Sequence, residues 1–423
     1  MSGAQGWRPL GRFRPRQTYT YAAGPLVGDH FDLAHEAAIV ESGVREVFTP
    51  HQPVKPGEAL AGRRKEVGNL IAVLNTPGQH ALLYGSRGVG KSSLANAVTH
   101  AFLQATTVEQ QFFRHRCDHA DTFESIFAGP LLAAGVDVGL VEYTTQRSVT
   151  GKAEFSHAGL TLGREQQRGV ETTHRPGGVV GAAEAARRLA RLRGFVLIDE
   201  LDVVADGTTR RKIAELIKHL SDEAAGFKLM LVGIAETAAG LTDAHPSAQR
   251  ARRETNLKPM DEEDLSRIVR TGGDALRLEF DEEVVRRIAR LSAGYPHFTH
   301  LLALKCAENA IRAGRSRIDP SVLPLAMTTA VEDAEETLRT SYSESIRSQS
   351  DSYRAVLVAA ASLDADEFTT TQLRAALGGR DPAGPLRRLA AADGRSVLRR
   401  TARGVYRFTD PRMRSYIRIF DPL

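Results

Sequence analysis

The sequence predicts an α/β fold: a parallel sheet with helices on both faces, then a small helical domain, then a domain of three short helices and a hairpin. Three observations carry this. Between Phe48 and Met260, short β-rich runs alternate with helical patterns. From Asp261 the pattern is helical only. Beyond Asp351, three short helical runs precede two β-rich runs that flank Gly404.

In chain order, residues 1–47 form a leading segment whose first seventeen residues mix Gly, Pro and Arg without periodicity, as a disordered basic tail does. Residues 48–260 hold the sheet, with strands expected at His80–Tyr84, Gln111–Cys117, Phe195–Ile198 and Lys228–Val232. Helices fit Lys91–Phe102 and Arg210–Ala225. The polar, Gly- and Thr-rich stretch from Val141 to Gly178 reads as an inserted hairpin or loop. In the helical domain, 261–330, Asp261 and Asp281 suit N-caps, Gly294 a helix stop, and Pro296 and Pro320 first-turn positions. A polar connecting helix and linker, 331–350, leads to 351–423. There Tyr353–Leu363, a helix capped at Thr369–Thr371, Pro385–Ala392 and the hairpin strands describe a winged helix.

Bulk properties exclude several classes. A length of 423 residues suits two or three domains, and 42% hydrophobic residues suffice for a core. Two cysteines far apart exclude a disulfide framework and suit a reducing compartment. The longest apolar stretch, Ala355 to Leu363, is too short to span a membrane, and no signal-peptide h-region is evident, so a cytoplasmic location is expected. The net charge of +5 is small for this length, but its distribution is uneven. Residues 378–418 hold 11 Arg against 3 Asp, a net of +8, which leaves the remainder acidic. Arg387 and Arg388 on the third helix, and Arg399, Arg400 and Arg403 on or beside the hairpin, are candidate contacts to double-stranded DNA. The other reading of such a module is a surface for a protein partner.

The most specific signal is Gly85-Ser86-Arg87-Gly88-Val89-Gly90-Lys91-Ser92, which fits G-x-x-x-x-G-K-[ST] between a strand and a helix. Glycines let the backbone curl so that successive N–H groups face phosphate oxygens, and the following helix adds its positive end. Lys91 would neutralise the β- and γ-phosphates of ATP, and the Ser92 hydroxyl would ligate magnesium, with Ser93 beside it. Downstream, Phe195-Val196-Leu197-Ile198 reads as a buried strand that ends in Asp199 and Glu200. Asp199 is the second magnesium candidate. Glu200 is placed to activate the attacking water. A lone carboxylate pair at a strand end is ordinarily a surface feature; the glycine loop upstream reverses that judgement. The fold class is therefore that of the P-loop NTPases.

His115, Cys117 and His119 alternate along an expected strand and would share a face, as zinc ligands can. No fourth ligand stands at finger-like spacing, and a core strand is the favoured reading.

With these motifs the chain resembles the AAA+ and STAND-type ATPases, in the branch of the archaeal-type and origin-recognition ATPases. The resemblance rests on Pro56–Glu66 with its Gly62-Arg63 pair, Gly78–Ser93, Val196–Asp202, Ala293–Leu301 and Tyr406–Tyr416, and covers about 48–423. It implies ATP binding with magnesium, self-association, a helical lid and a C-terminal winged helix. It implies an arginine finger at Arg250, with Arg252 and Arg253 as the other candidates, and sensor 1 near Glu236 and Thr237. It also places His297 at the nucleotide, in the sensor 2 region. Two functions follow: a hydrolysing switch acting on DNA, or a scaffold that holds nucleotide with negligible turnover and acts through a protein partner.

Overall fold

A computed structural model describes residues 33–54, 60, 62–105, 110–136, 180–234, 250–332, 336–347, 351–363, 365–391 and 396–421. The basic tail, the stretch from Val141 to Gly178, and Glu236 and Thr237 lie outside the described residues.

The first elements are α1 (Leu33–Ser42), α2 (Val44–Val47), α3 (Arg64–Asn75), β1 (His80–Gly85), α4 (Lys91–Ala105), β2 (Gln111–Arg116), α5 (Phe123–Ile126), α6 (Ala128–Ala133) and α7 (Ala182–Leu189). Next come β3 (Gly194–Asp199), α8 (Gly207–Asp222), β4 (Phe227–Ile234) and β5 (Arg252–Asn256). The five strands are parallel, in the order β2-β3-β4-β1-β5. Parallel strands need crossovers, which α4, α5 to α7 and α8 supply from β1 to β4. Side chains alternate across the sheet. Leu83, Phe195, Leu197, Met230 and Val232 face a core shared with α3 and α4. Leu82, Val196, Ile198, Leu229 and Leu231 face one shared with α7 and α8. Asp206 caps α8 by accepting hydrogen bonds from the Thr208 and Thr209 N–H groups.

The edge strand β5, RRETN, has no apolar run, so periodicity does not announce it. It pairs with β1 from His80↔Arg252 to Tyr84↔Asn256.

The helical domain comprises α9 (Glu262–Leu276), β6 (Glu279–Phe280), α10 (Glu282–Ser292), α11 (Pro296–Arg312), β7 (Arg317–Ile318) and α12 (Val322–Glu332). Asp261 caps α9 through the Asp264 N–H. Asp281 stands at the α10 N-cap but makes no side-chain cap bond; its carboxylate holds Arg317 Nε at 2.8 Å instead. Ala293 (φ 48) and Gly294 (φ 92) turn the chain between α10 and α11, and Pro296 opens α11. A Cβ on Gly294 would stand 2.5 Å from Pro259 Cβ, so this turn is pressed against the end of the sheet domain. The helices of the leading segment belong here too: Ile39, Val44 and Phe48 are buried, and Arg45 Nε meets the buried Glu308 at 2.8 Å.

The rest comprises α13 (Glu336–Arg347), α14 (Asp351–Ser362), β8 (Glu367–Thr369), α15 (Thr370–Ala376), α16 (Ala383–Leu389), β9 (Leu398–Ala402), β10 (Val405–Phe408) and α17 (Met413–Phe420). Thr369 and Gln372 form a reciprocal capping box on α15. The hairpin gains a third strand, giving the antiparallel order β8-β10-β9. This is the element order expected of a winged helix, with α17 added. Met413, Tyr416, Ile417 and Ile419 of α17 are buried. At about 1.5–3 kcal/mol per buried apolar side chain, they outweigh the surface ion pairs nearby, each worth about 1 kcal/mol at most.

Gly272 of α9 lies under the fully buried Phe48 ring, and a Cβ there would stand 2.3 Å from Phe48 Cε1. Gly272→Ala is therefore expected to destabilise by about 1–3 kcal/mol despite the better helix propensity of alanine. A thermal or urea melt measures this; an unchanged midpoint would refute the packing argument.

Candidate functional site

The glycine loop leaves the carboxyl end of β1. Gly85, Gly88 and Gly90 have φ of 152, 80 and 94°, a backbone that side-chain-bearing residues rarely adopt. A Cβ on Gly85 would stand 2.5 Å from Leu257 O. Val89 is buried and pins the loop to the core. The loop is also tied from outside: Arg63 Nη2 donates to Lys258 O (2.5 Å) and lies 3.5 Å from Val89 O. That gives Gly62-Arg63 a structural task at the loop. Lys91, the first residue of α4, is 9% exposed, and its Nζ donates to Gly85 O (3.0 Å) and Ser86 O (2.8 Å). Ser92 is half-buried, and Ser93 Oγ accepts from Val54 N–H at 3.2 Å, which engages Ser93 with the preceding segment.

Asp199 ends β3 and is buried. Its Oδ1 accepts from the Glu200 N–H at 3.0 Å, and Arg114 Nη2 stands 3.8 Å from Oδ2. Glu200 has a left-handed backbone, φ 57°. Its carboxylate is held by Arg116, with Nε at 2.9 Å and Nη2 at 2.6 Å. That bidentate pair is the main reason its pKa lies below the usual range, despite partial burial. Sequence reasoning passed over Arg116, because nothing in a β2 arginine signals a partner 84 residues away.

The two motifs meet although their strands are not neighbours, since β4 lies between β1 and β3. Lys91 is pushed down to about 8, mainly by burial, while the carboxylates of Asp202 and Asp199 act on it in the opposite sense. Glu200 in turn feels Arg87 and Lys91. An amide-lined loop, a buried ammonium, a hydroxyl and two carboxylates thus converge at the carboxyl ends of parallel strands, where α/β sheets bind ligands. The donor set suits a phosphate chain, and the hard oxygens of Ser92 and Asp199 suit magnesium.

Residues 59–232 match the AAA ATPase domain family. The chain contains an AAA ATPase domain. Around this domain the chain is similar to solved structures at low identity. The Walker-type ATPase PABY2304 of Pyrococcus abyssi is 18% identical, covering 88% of this chain and 99% of that one, with a TM-score of 0.48. The Aeropyrum pernix Orc1 protein, solved in complex with DNA, is 18% identical over 89% and 96%, with a TM-score of 0.47. The Thermotoga maritima RuvB Holliday junction branch migration motor is 15% identical over 82% and 92%, with a TM-score of 0.42. No curated protein matches the chain.

Other residues expected at the site lie elsewhere. His297, in the first turn of α11, donates from Nδ1 to Pro50 O at 2.6 Å and packs edge-on against His51 and Phe298. Its place is the seam between α11 and the segment before the sheet. Among the arginine-finger candidates, Arg252 is excluded: it is buried in β5, with Nε 3.2 Å from Glu254. Arg250 is exposed, and Gln79 Nε2 donates to its backbone carbonyl at 2.9 Å. It precedes β5, at the amino end of the sheet, so the length of a six-residue strand, roughly 20 Å, separates it from its own glycine loop. It does not reach its own loop. Arg253 is exposed on the same edge.

The zinc alternation is corrected. β2 ends at Arg116, and the ligand atoms that lie within 4.8 Å of one another are those of His115, Cys117 and Asp121, without His119. Asp121 is already bonded by His115 Nε2 (2.9 Å), Asp118 N–H (2.8 Å) and Ser125 Oγ (2.6 Å). Burial, with Asp121 second, pushes the Cys117 thiol far up, away from the thiolate that zinc needs. Of the DNA candidates, Arg387 and Arg388 are exposed on α16, and Arg400 and Arg403 are exposed on the hairpin. Arg399 is half-buried and stands opposite Arg407.

A neutral Lys91 must take up a proton to hold a phosphate. Nucleotide affinity is therefore expected to be flat below pH 8 and to fall by up to about tenfold per unit above it. Titration calorimetry across pH checks this. Lys91→Arg, which stays charged, should flatten the slope; an identical slope in that variant would refute the assignment.

Proposed function

We propose that this chain is an ATP-binding and ATP-hydrolysing switch whose nucleotide state governs self-association and the binding of double-stranded DNA by its C-terminal domain. The observation that carries the reading is the meeting of the buried Lys91 loop with Asp199 and Glu200 at one end of the sheet. In this reading the amides of Gly85–Ser92 and the Lys91 ammonium bind the phosphates. Ser92 and Asp199 hold magnesium, which neutralises phosphate charge. Glu200 orients and deprotonates the attacking water. Arg250, out of reach of its own loop, would complete the site of an adjacent copy and tie turnover to assembly. Ser93 and His297 are held by their own backbone partners, which favours a supporting role at the rim. Lys91→Ala should abolish nucleotide binding. Glu200→Gln should keep binding and slow hydrolysis by about 10²–10⁴-fold; undiminished turnover in that variant would remove Glu200 from the mechanism.

One observation favours the second reading, a scaffold that holds nucleotide and hardly hydrolyses it: Arg116 clamps Glu200. Yet both partners are well exposed, at 68 and 40%. Such a pair is worth about 0.2–1 kcal/mol, so it restrains the carboxylate by no more than about fivefold. The clamp is releasable, which favours the switch. Arg116→Ala is expected to raise turnover within that fivefold range, and a wild-type protein without hydrolysis at any protein or DNA concentration would favour the scaffold.

Exposed arginines on α16 and the hairpin support DNA contact through phosphates. Replacing Arg400 and Arg403 together by Ala should weaken duplex binding without changing sequence preference. It should also lower the slope of log affinity against log salt by about 0.9 for each phosphate no longer neutralised. Fluorescence anisotropy over a salt series reads this, and an unaltered slope would assign the hairpin to a protein partner.

A further inference from the structure

The phosphate loop is not covered by its own domain alone. Arg412, just ahead of α17, lays its stem on Gly88: a Cβ there would stand 2.9 Å from Arg412 Cδ and 3.4 Å from Cγ. The Arg412 side chain is 3% exposed. Its guanidinium is held by Asp410, with Nε at 3.1 and 3.2 Å from the two oxygens and Nη2 at 2.7 Å from Oδ2. Its charge is felt at Lys91, as is that of Arg87. Three cations from two domains therefore gather around one glycine loop.

The seam between the domains is built at the same place. Tyr295, in the turn before α11, puts Cδ1 3.6 Å from the Gly88 Cβ position. Its hydroxyl is buried without a hydrogen-bond partner among the described residues and feels Asp366, Asp410, Arg414 and Arg412. Ser415 Oγ donates to Ser292 O at 2.8 Å, and Arg418 Nη1 to Arg290 O at 3.2 Å, fastening α17 to the end of α10. A shift of α17 would move Arg412 relative to the loop.

We propose that Arg412 is a phosphate ligand supplied by the C-terminal domain, exchanging Asp410 for the terminal phosphates of a bound nucleotide and so bolting that domain to the phosphate loop. The proposal rests on the phosphate-site reading above. A buried guanidinium beside a second buried cation needs an anion, and a phosphate offers more charge than the Asp410 carboxylate, which is 32% exposed and readily solvated. The fork geometry of arginine suits bidentate phosphate contact. No bond is made or broken in this step; one anion replaces another. The C-terminal domain thereby reads whether the loop is loaded.

The test uses the full chain, magnesium, ATP and ADP, with calorimetry for affinity and hydrogen exchange for the docking of α17. The wild type is expected to bind, and nucleotide should slow exchange over Met413–Phe420. Arg412→Ala should lose about 10- to 100-fold in affinity, the range for a charge-assisted contact, and lose the nucleotide-dependent protection. Asp410→Asn, which leaves the guanidinium in place and removes its competitor, should bind nucleotide more tightly; a merely structural ion pair predicts weaker or equal binding. Wild-type binding with equal affinity in Arg412→Ala, or with no gain in Asp410→Asn, would overturn this inference alone. A wild type that takes up no nucleotide would overturn the phosphate-site reading beneath it.

Discussion

The placement of β4 between β1 and β3 is the constraint on which the rest depends. It separates the strand that leads into the glycine loop from the strand that ends in Asp199 by one strand spacing on each side, about 10 Å in all. A phosphate chain with a metal, bound beyond the carboxyl ends of the strands, spans a distance of that order. Through the shared partner Leu231, Ile198 is level with Leu82, so β3 ends at Asp199 two residues before β1 ends at Gly85, and Lys91, Asp199 and Glu200 act on one another at this mouth.

Around that gap the molecule is assembled from charges held under modest forces. Lys91 is engaged by its own loop's carbonyls, Glu200 by Arg116 and Arg412 by Asp410. Each is a pairing that a phosphate or a water could replace at a cost of a few kcal/mol or less. The apolar framework is different in kind. The cores on the two faces of the sheet and the buried face of α17 are held by burial, which no ligand exchanges. Rigid apolar scaffolding with exchangeable polar contacts at its mouth is how a fold keeps two arrangements within reach.

The legible features were those with strong local signals. The glycine loop, the FVLIDE strand, the cap at Thr369 and the helix stop at Gly294 each follow from residue types a few positions apart. The features that escaped have no local signature. β5 is polar because it is an edge strand seen by one neighbour. Arg116 finds Glu200 only because β2 pairs with β3, with Arg116 opposite Asp199. Arg252 looked like a candidate finger until β5 buried it beside Glu254. His115, Cys117 and His119 share a parity in the sequence, but the strand ends before Cys117 and the chain turns to bring Asp121 in.

By itself the sequence determined the α/β class, the phosphate-binding motif and the basic C-terminal module, because glycine torsions, strand hydrophobicity and charge density are local properties. Tertiary structure alone decided which partner each cation meets: Arg116 the Glu200 carboxylate, Arg63 the backbone carbonyls at the loop, and the Arg412 stem Gly88, across more than three hundred residues of chain. Such contacts are set by distance in space, and only the order of strands and the docking of α17 fix those distances.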